Sequence, residues 1–225
     1  LRWMAECTAS LLPWRAKHRA GSWLSFLPMN HVVEGILATY APYYIPAPVD
    51  IYFLEDIRDL SRALPRVRPA VFFSAPRVYE KIWEAFAGGG PGRLYLRRQK
   101  SLIGWVLRPM LRWALLRKAG LDRCAQLIVG SAPVAESLLR AYHDLGIEMH
   151  NAYGLTEAPL VAMNRRGANR IGTVGQPLPD TEVRVAEDGE VLVRGPQVTA
   201  GYFLAGSPCQ DGWLRTGDLG CLTGE

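Results

Sequence analysis

Residues 125–157 read AQLIVGSAPVAESLLRAYHDLGIEMHNAYGLTE, and the order of their properties decides the fold class. The apolar run 125–129 stops at the small-residue group Gly130-Ser131-Ala132-Pro133, so it reads as a buried strand followed by a turn. Residues 134–145 follow as a helix ended by Gly146. Ile147–Ala152 is a second strand, and Tyr153-Gly154-Leu155-Thr156-Glu157 a second turn. Strand, turn, helix, strand, turn is the pattern of an α/β sheet. In such sheets chemistry collects in the loops at the carboxyl ends of strands, so the two turns are the first places to look for a site.

Outward from this unit, residues 1–12 read as a helix. Residues 22–27 (SWLSFL) read as a buried strand that ends in the loop Pro28-Met29-Asn30-His31. Residues 32–41 predict a helix stopped at Pro42. The two prolines in 43–49 restrict any strand there to a short or edge one. Residues 54–63 have helical spacing, Ala70–Phe73 reads as a buried strand, and 77–86 as an amphipathic helix. The run GGGPG at 88–92 is the clearest break. It reads as a flexible loop and not a phosphate loop, because no Gly-Lys-Ser/Thr follows. Residues 93–118 read as two basic amphipathic helices kinked or broken near Pro109, with Gly120 as a stop. Past residue 170 the pattern turns to strands. Residues 181–186 and 190–194 alternate around Glu187-Asp188-Gly189, a β-hairpin. The expected architecture is α/β, with mixed or parallel sheets flanked by helices over 1–170 and a β-rich portion over 171–225.

Composition narrows the class. The chain has 225 residues, 49% of them hydrophobic and 21% charged, which excludes a disordered or coiled-coil chain. The net charge is +5, carried mostly by arginine; the lysines are Lys17, Lys81, Lys100 and Lys118, and none follows. Cys7, Cys124, Cys209 and Cys221 are too scattered for a disulfide framework or a zinc site, which makes a reducing, cytoplasmic compartment the default. No apolar run approaches the ~18–20 residues of a membrane span, and no signal peptide opens the chain. The start at Leu1 inside a helix, and the stop at Thr223-Gly224-Glu225 after a turn, lead us to expect a segment of a longer protein.

Several residues could carry chemistry, each beside a plainer reading. In Tyr153–Glu157 the ring offers a face for a purine and Gly154 a close backbone approach to phosphate. Thr156 offers a hydroxyl to phosphate and Glu157 an oxygen ligand for magnesium; the plainer reading is a polar turn. Gly130-Ser131-Ala132-Pro133 offers a cavity floor and free amides, or simply a tight turn with Ser131 as a helix cap. Asp218 in Thr216-Gly217-Asp218 could accept from a ribose diol, or be an Asp in a glycine turn. His31 could line a pocket or act as acid or base, or be structural.

Together these pieces resemble the adenylate-forming superfamily of acyl-CoA synthetases, peptide-synthetase adenylation domains and luciferases. The resemblance rests on Leu27-Pro28-Met29-Asn30-His31, Gly130–Pro133, Asn151-Ala152-Tyr153-Gly154-Leu155-Thr156-Glu157, Gly189–Pro196 with Gly201-Tyr202, and Gly212–Asp218. It covers about residues 20–220. The stretches Ser25–Val32 and Arg68–Ile82, and the long helical segment before Gly130, resemble the long-chain fatty acyl-CoA synthetase branch. Two features depart from it. Many relatives carry an aromatic residue and then Glu-Arg where this chain has Val33-Glu34-Gly35, and the region 204–211 is compact.

The resemblance implies the following roles. Tyr153 stacks near adenine; Gly130, Ser131, Ala132 and Pro133, with Asn151, Ala152, Gly154 and Leu155, line the nucleotide site. Thr156 contacts phosphate, Glu157 binds Mg2+, Asp218 holds the ribose hydroxyls, and His31 lies near the acyl carboxylate. It implies ATP, Mg2+ and coenzyme A as cofactor and co-substrates, and a fatty acid as substrate. The family's lysine-bearing phosphate loop is expected upstream of Leu1, and its hinge and lysine-bearing C-terminal domain downstream of Glu225. The 225 residues alone are therefore expected to be inactive or nearly so. The alternatives are another adenylate-forming ligase (an aryl or medium-chain acid, or a carrier-protein acceptor) and a non-catalytic nucleotide- or lipid-binding remnant. The basic stretch 93–118, with Trp105 and Trp113, reads either as a solvated helix face or as a peripheral membrane contact. No pattern for nucleic acid is present, and the sequence does not fix an oligomeric state.

Overall fold

The computed structural model of the chain describes residues 1–14, 21–99 and 101–223. Of the residues singled out above, Lys17, Lys100, Gly224 and Glu225 lie outside them. Helix α1 (Arg2–Leu11) precedes strand β1 (Gly21–Ser25). One α turn, α2 (Val32–Glu34), runs into a π-helical stretch at Gly35–Tyr40 and a 3-10 turn at Ala41–Tyr43. Next come β2 (Val49–Phe53), a 3-10 turn at Ile57–Asp59, α3 (Leu60–Val67), β3 (Val71–Ser74), α4 (Pro76–Ala87), α5 (Gly90–Arg98) and α6 (Leu102–Ala119). The order continues with β4 (Gln126–Val129), α7 (Glu136–Asp144), β5 (Met149–Leu155), β6 (Ala158–Met163), β7 (Gln176–Pro177) and β8 (Glu182–Val185). It ends with β9 (Glu190–Arg194), β10 (Cys209–Gln210) and β11 (Trp213–Leu219).

The central sheet has the order β3-β4-β5-β6-β7. Its first three strands are parallel because helices carry the chain back between them, whereas β5 and β6 are antiparallel because only Thr156-Glu157 separates them. β1 and β2 form a parallel pair, and β10-β11-β9-β8 a separate antiparallel sheet. This is the α/β architecture, with a β-rich C-terminal portion, that the sequence predicts.

Strands β3 and β4 are buried at every residue, which is why they read as continuous apolar runs and not as alternation. Phe72, Leu127 and Val129 face a core made with Tyr79, Leu111, Leu115, Leu139 and Tyr142. Val71, Phe73 and Ile128 face the opposite core, with Met4, Trp14, Trp23 and Leu37. The buried Tyr79 hydroxyl lies 3.1 Å from the Phe72 carbonyl and 2.9 Å from that of Ile128, and Tyr142 donates to the Tyr79 carbonyl at 2.8 Å. Both of these buried phenols are thus paired.

The local expectations fail in instructive places. Residues 32–41 are not one α-helix. Pro42 has no N–H and crowds the carbonyl four residues earlier, and the ladder loosens to π geometry in front of it. The stretch 43–49, where the prolines restrict any strand, holds only the first residue of β2, which runs on past Pro46 and Pro48 to Phe53. The helix expected over 54–63 begins at Leu60. The loop at 88–92 shrinks to Gly88-Gly89, since Pro91 fits the first turn of α5, where its missing N–H has no partner to lose. The break in 93–118 is not at Pro109, which sits inside α6; it falls before Ser101, whose Oγ caps α6 by accepting from the Gly104 N–H at 3.3 Å.

One ion pair ties two loops at the start of the sheet. Arg68, in the left-handed region at the end of α3, donates from Nε to Asp122 Oδ1 at 2.9 Å and from Nη2 to Oδ2. Burial alone would raise the Asp122 pKa, but the hydrogen bond and charge of Arg68, aided by Arg117, outweigh it and hold the carboxyl below its ordinary 3.8. A depressed folded pKa adds stability above the ordinary value, and that stability is lost as pH falls through the folded one. Urea unfolding from pH 6 down to pH 2 should therefore show Asp122→Asn losing less stability on acidification, below about pH 4, than the unaltered chain.

Candidate active site

A cavity of about 370 Å³ opens where the carboxyl ends of β4 and β5 meet α1 and the loop after β1. Its polar side holds His31, Ser131, Tyr153, Thr156 and Glu157, with Ala152, Gly154 and Leu155 beside them. Its inner side is apolar, closed by Met4, Ile36, Leu37, Phe73, Ile128 and Met163. Residues from Met4 to Met163 thus share one wall system, and eight of the thirteen residues singled out from sequence line it: His31, Ser131, Ala152, Tyr153, Gly154, Leu155, Thr156 and Glu157.

The turn read at Tyr153–Glu157 is in fact the end of β5 and a two-residue hairpin tip. Gly154 sits where the β5–β6 register shifts. A Cβ there would lie 2.4 Å from the Pro159 carbonyl oxygen, so glycine serves the close passage of β6. Gly130 is similar: its Cβ would lie 3.0 Å from the Ala152 carbonyl oxygen and 3.1 Å from the Phe73 ring. Ser131, the next residue, takes φ +63°, a left-handed conformation rare outside glycine, and turns the chain at the cavity edge. It does not cap α7, whose N-cap is Ala135 without a side-chain bond.

Asp218 reaches the site from another sheet. Tyr153 Oη donates to Asp218 Oδ2 at 2.6 Å, and the Asp218 N–H is held by Thr216 Oγ1 at 3.1 Å. Partial burial and this bond to a carboxylate push the Tyr153 pKa up to about 12, so the phenol stays protonated and donates. Glu157 is fixed twice: Oε1 accepts from Tyr202 Oη at 2.6 Å, and its carbonyl from the Thr199 N–H at 2.8 Å. His31 caps α2, its Nδ1 accepting from the Val33 N–H at 3.3 Å, which leaves Nε2 as the nitrogen that carries the proton in the neutral ring. Behind it, Glu34 is fully buried and accepts from Trp23 Nε1 at 3.1 Å; burial raises its pKa against the bonds that Ser25 and Trp23 make to it.

Other residues from the sequence reading fall outside the cavity lining. Asn151 spends its amide on the Thr173 carbonyl at 3.2 Å; Ala132 and Pro133 are exposed, and Gly130 is buried behind Ser131. The wall from Met4 and Thr8 on α1 and Leu12 just after it was not foreseen, nor was the Tyr202–Glu157 bond. The apolar face of α1 was visible in sequence, but nothing local said which cavity it would close.

The donors present fit a magnesium–nucleotide pair and not an all-protein cage. Among the described residues no cluster of three or more His, Cys, Asp or Glu could hold a metal ion, and Glu157 keeps one oxygen without a hydrogen bond among them. One carboxylate plus substrate phosphates is the usual arrangement for Mg2+. A model of the AMP-binding enzyme family matches residues 3–203. The chain belongs to that family. As a member of this AMP-binding family, it is 32% identical to the long-chain-fatty-acid–CoA ligase FadD15 of Mycobacterium bovis, over 88% of this chain and 37% of that protein. It is 28% identical to human long-chain-fatty-acid–CoA ligase 6, over 88% and 32% respectively. The chain thus spans about a third of these relatives' length. Among solved structures, a malonyl-CoA ligase complex with methylmalonyl-CoA and AMP bound superposes at TM-score 0.67 and 25% identity, over 96% of this chain and 44% of that one.

Proposed function

We propose that this AMP-binding chain is the central part of the large domain of an ATP-dependent long-chain fatty acid–CoA ligase, with residues 1–170 and 171–225 as its two parts. The complete enzyme converts a fatty acid to acyl-AMP and passes the acyl group to coenzyme A. The observation that carries this reading is one cavity with a polar rim of Tyr153, Thr156, Glu157 and His31 and an apolar interior. The Tyr153 ring, tethered to Asp218, is a platform for adenine, with a carboxylate at its edge for the ribose hydroxyls. Thr156 at the hairpin tip meets phosphate. Glu157 would hold Mg2+, which would supply charge neutralisation at the phosphates. His31 orients the acyl carboxylate through Nε2, and the acyl chain lies along Met4, Leu37 and Met163.

Attack of a carboxylate on the α-phosphate needs positioning and charge stabilisation more than covalent help. Among the described residues, no lysine or arginine lines the cavity. The cation that stabilises the transition state comes from the rest of the ligase. A second acid class has support of its own: the 2-succinylbenzoate–CoA ligase of Enterococcus faecalis is 32% identical over 56% of this chain.

Calorimetric titration of the chain with a non-hydrolysable palmitoyl-adenylate analogue, with AMP and with palmitate should give the tightest binding for the joined analogue. A well-folded chain that binds none of the three ends the ligase reading. Binding of an aryl-adenylate but not the palmitoyl one moves it to the aryl acids.

A further inference from the structure

Helix α6 has two apolar faces. Gly104, Leu111 and Leu115 are buried against the domain. Leu102, Val106, Met110 and Trp113 lie at intervals of four, four and three, which is a stripe on the opposite side. All four are exposed, Leu102 at 77% and Trp113 at 61%, and Ile103 and Trp105 (68%) widen the stripe. A helix that is apolar all round is ordinarily covered on all sides. A contiguous face of six large apolar residues, two of them tryptophan, marks an interaction surface.

The charge around it names the occupant. Between Glu84 and Asp122 there is no acidic residue, while Arg93, Arg97, Arg98, Lys100, Arg108, Arg112, Arg117 and Lys118 place eight of the chain's 26 cations there. The rest of the chain therefore has fewer cations than acids. On α6, Arg112 lies on one flank of the exposed stripe and Arg117 at its C-terminal end. Among the described residues no helix is long and apolar enough to cross a membrane. Aromatic and aliphatic side chains on one face, with cations beside them, suit the boundary between acyl chains and anionic headgroups, with the helix lying in the surface plane.

We propose that α6, with the cationic end of α5, docks the protein on an anionic lipid bilayer, Trp105 and Trp113 entering the headgroup layer. The surface argument is independent of the ligase reading and survives its failure. The test is flotation of the chain with vesicles of phosphatidylcholine alone or with about a third phosphatidylglycerol. The chain should float with the anionic vesicles and remain behind with the neutral ones. Raising NaCl from 0.1 to 1 M, which shortens the screening length from ~10 to ~3 Å, should release most of it. The double variant Trp105→Glu, Trp113→Glu should lose flotation at least tenfold with an unchanged circular dichroism spectrum, since both side chains are exposed. Failure of the unaltered chain to float, or equal flotation of the variant, overturns the proposal. So does a stable dimer in sedimentation that the same double variant dissociates, which would make the face a contact between copies.

Discussion

Asp218→Ala should weaken binding of a palmitoyl-adenylate analogue roughly 10- to 100-fold, because a hydrogen bond to a charged group contributes about 1.5–3 kcal/mol. Asp218 is exposed and its carboxylate has one tie to the fold, the 2.6 Å bond from Tyr153. Its loss should cost little stability, which separates a binding defect from misfolding. Tyr153→Phe gives the contrast: it keeps the ring and removes the tether, so binding should fall only several-fold. Calorimetric titration reads both. An Asp218→Ala chain that binds the analogue as tightly as the parent would place the nucleotide elsewhere.

The second large effect is structural. Gly154→Ala sets a Cβ 2.4 Å from the Pro159 carbonyl oxygen and 2.7 Å from its carbon. Those are backbone atoms of the paired strand and cannot swing aside. Overpacking of this kind costs about 1–3 kcal/mol, which in a domain of this size lowers Tm by roughly 2–12 °C. The hairpin tip at Thr156-Glu157 should shift with it, so analogue binding should be lost even below the new Tm. Differential scanning calorimetry and titration on one preparation check both parts. The control is Gly167→Ala, where φ is +81° but nothing lies within 4 Å of the added Cβ. Its cost is the left-handed backbone alone, without loss of binding.

The sequence by itself determined the elements whose signals are local. The apolar runs at 70–73 and 125–129 became strands because four or five apolar residues between turn signals fit little else. The hairpin around Asp188-Gly189 formed as written, with Gly189 at φ +85°, where glycine carries no penalty. The stretch Tyr153–Glu157, singled out in the sequence, lies entirely along the cavity wall. Local signals failed where two punctuators competed. Pro109 looked like the helix breaker, yet a capping Ser101 and the packing of Leu111 and Leu115 kept α6 continuous through it.

The rest was decided by tertiary structure. That Tyr153 meets Asp218, 65 residues away, and that Glu157 meets Tyr202, depends on how the antiparallel sheet docks on the central one. That α1 closes the cavity depends on which core its apolar face joins. Whether the basic helix was a packed or an open face could not be read from its pattern, because apolar residues lie on both sides of it. Hydrophobic periodicity says that a face is buried by something; only the fold says by what, since burial is non-directional and partners are chosen by shape and by the rest of the chain.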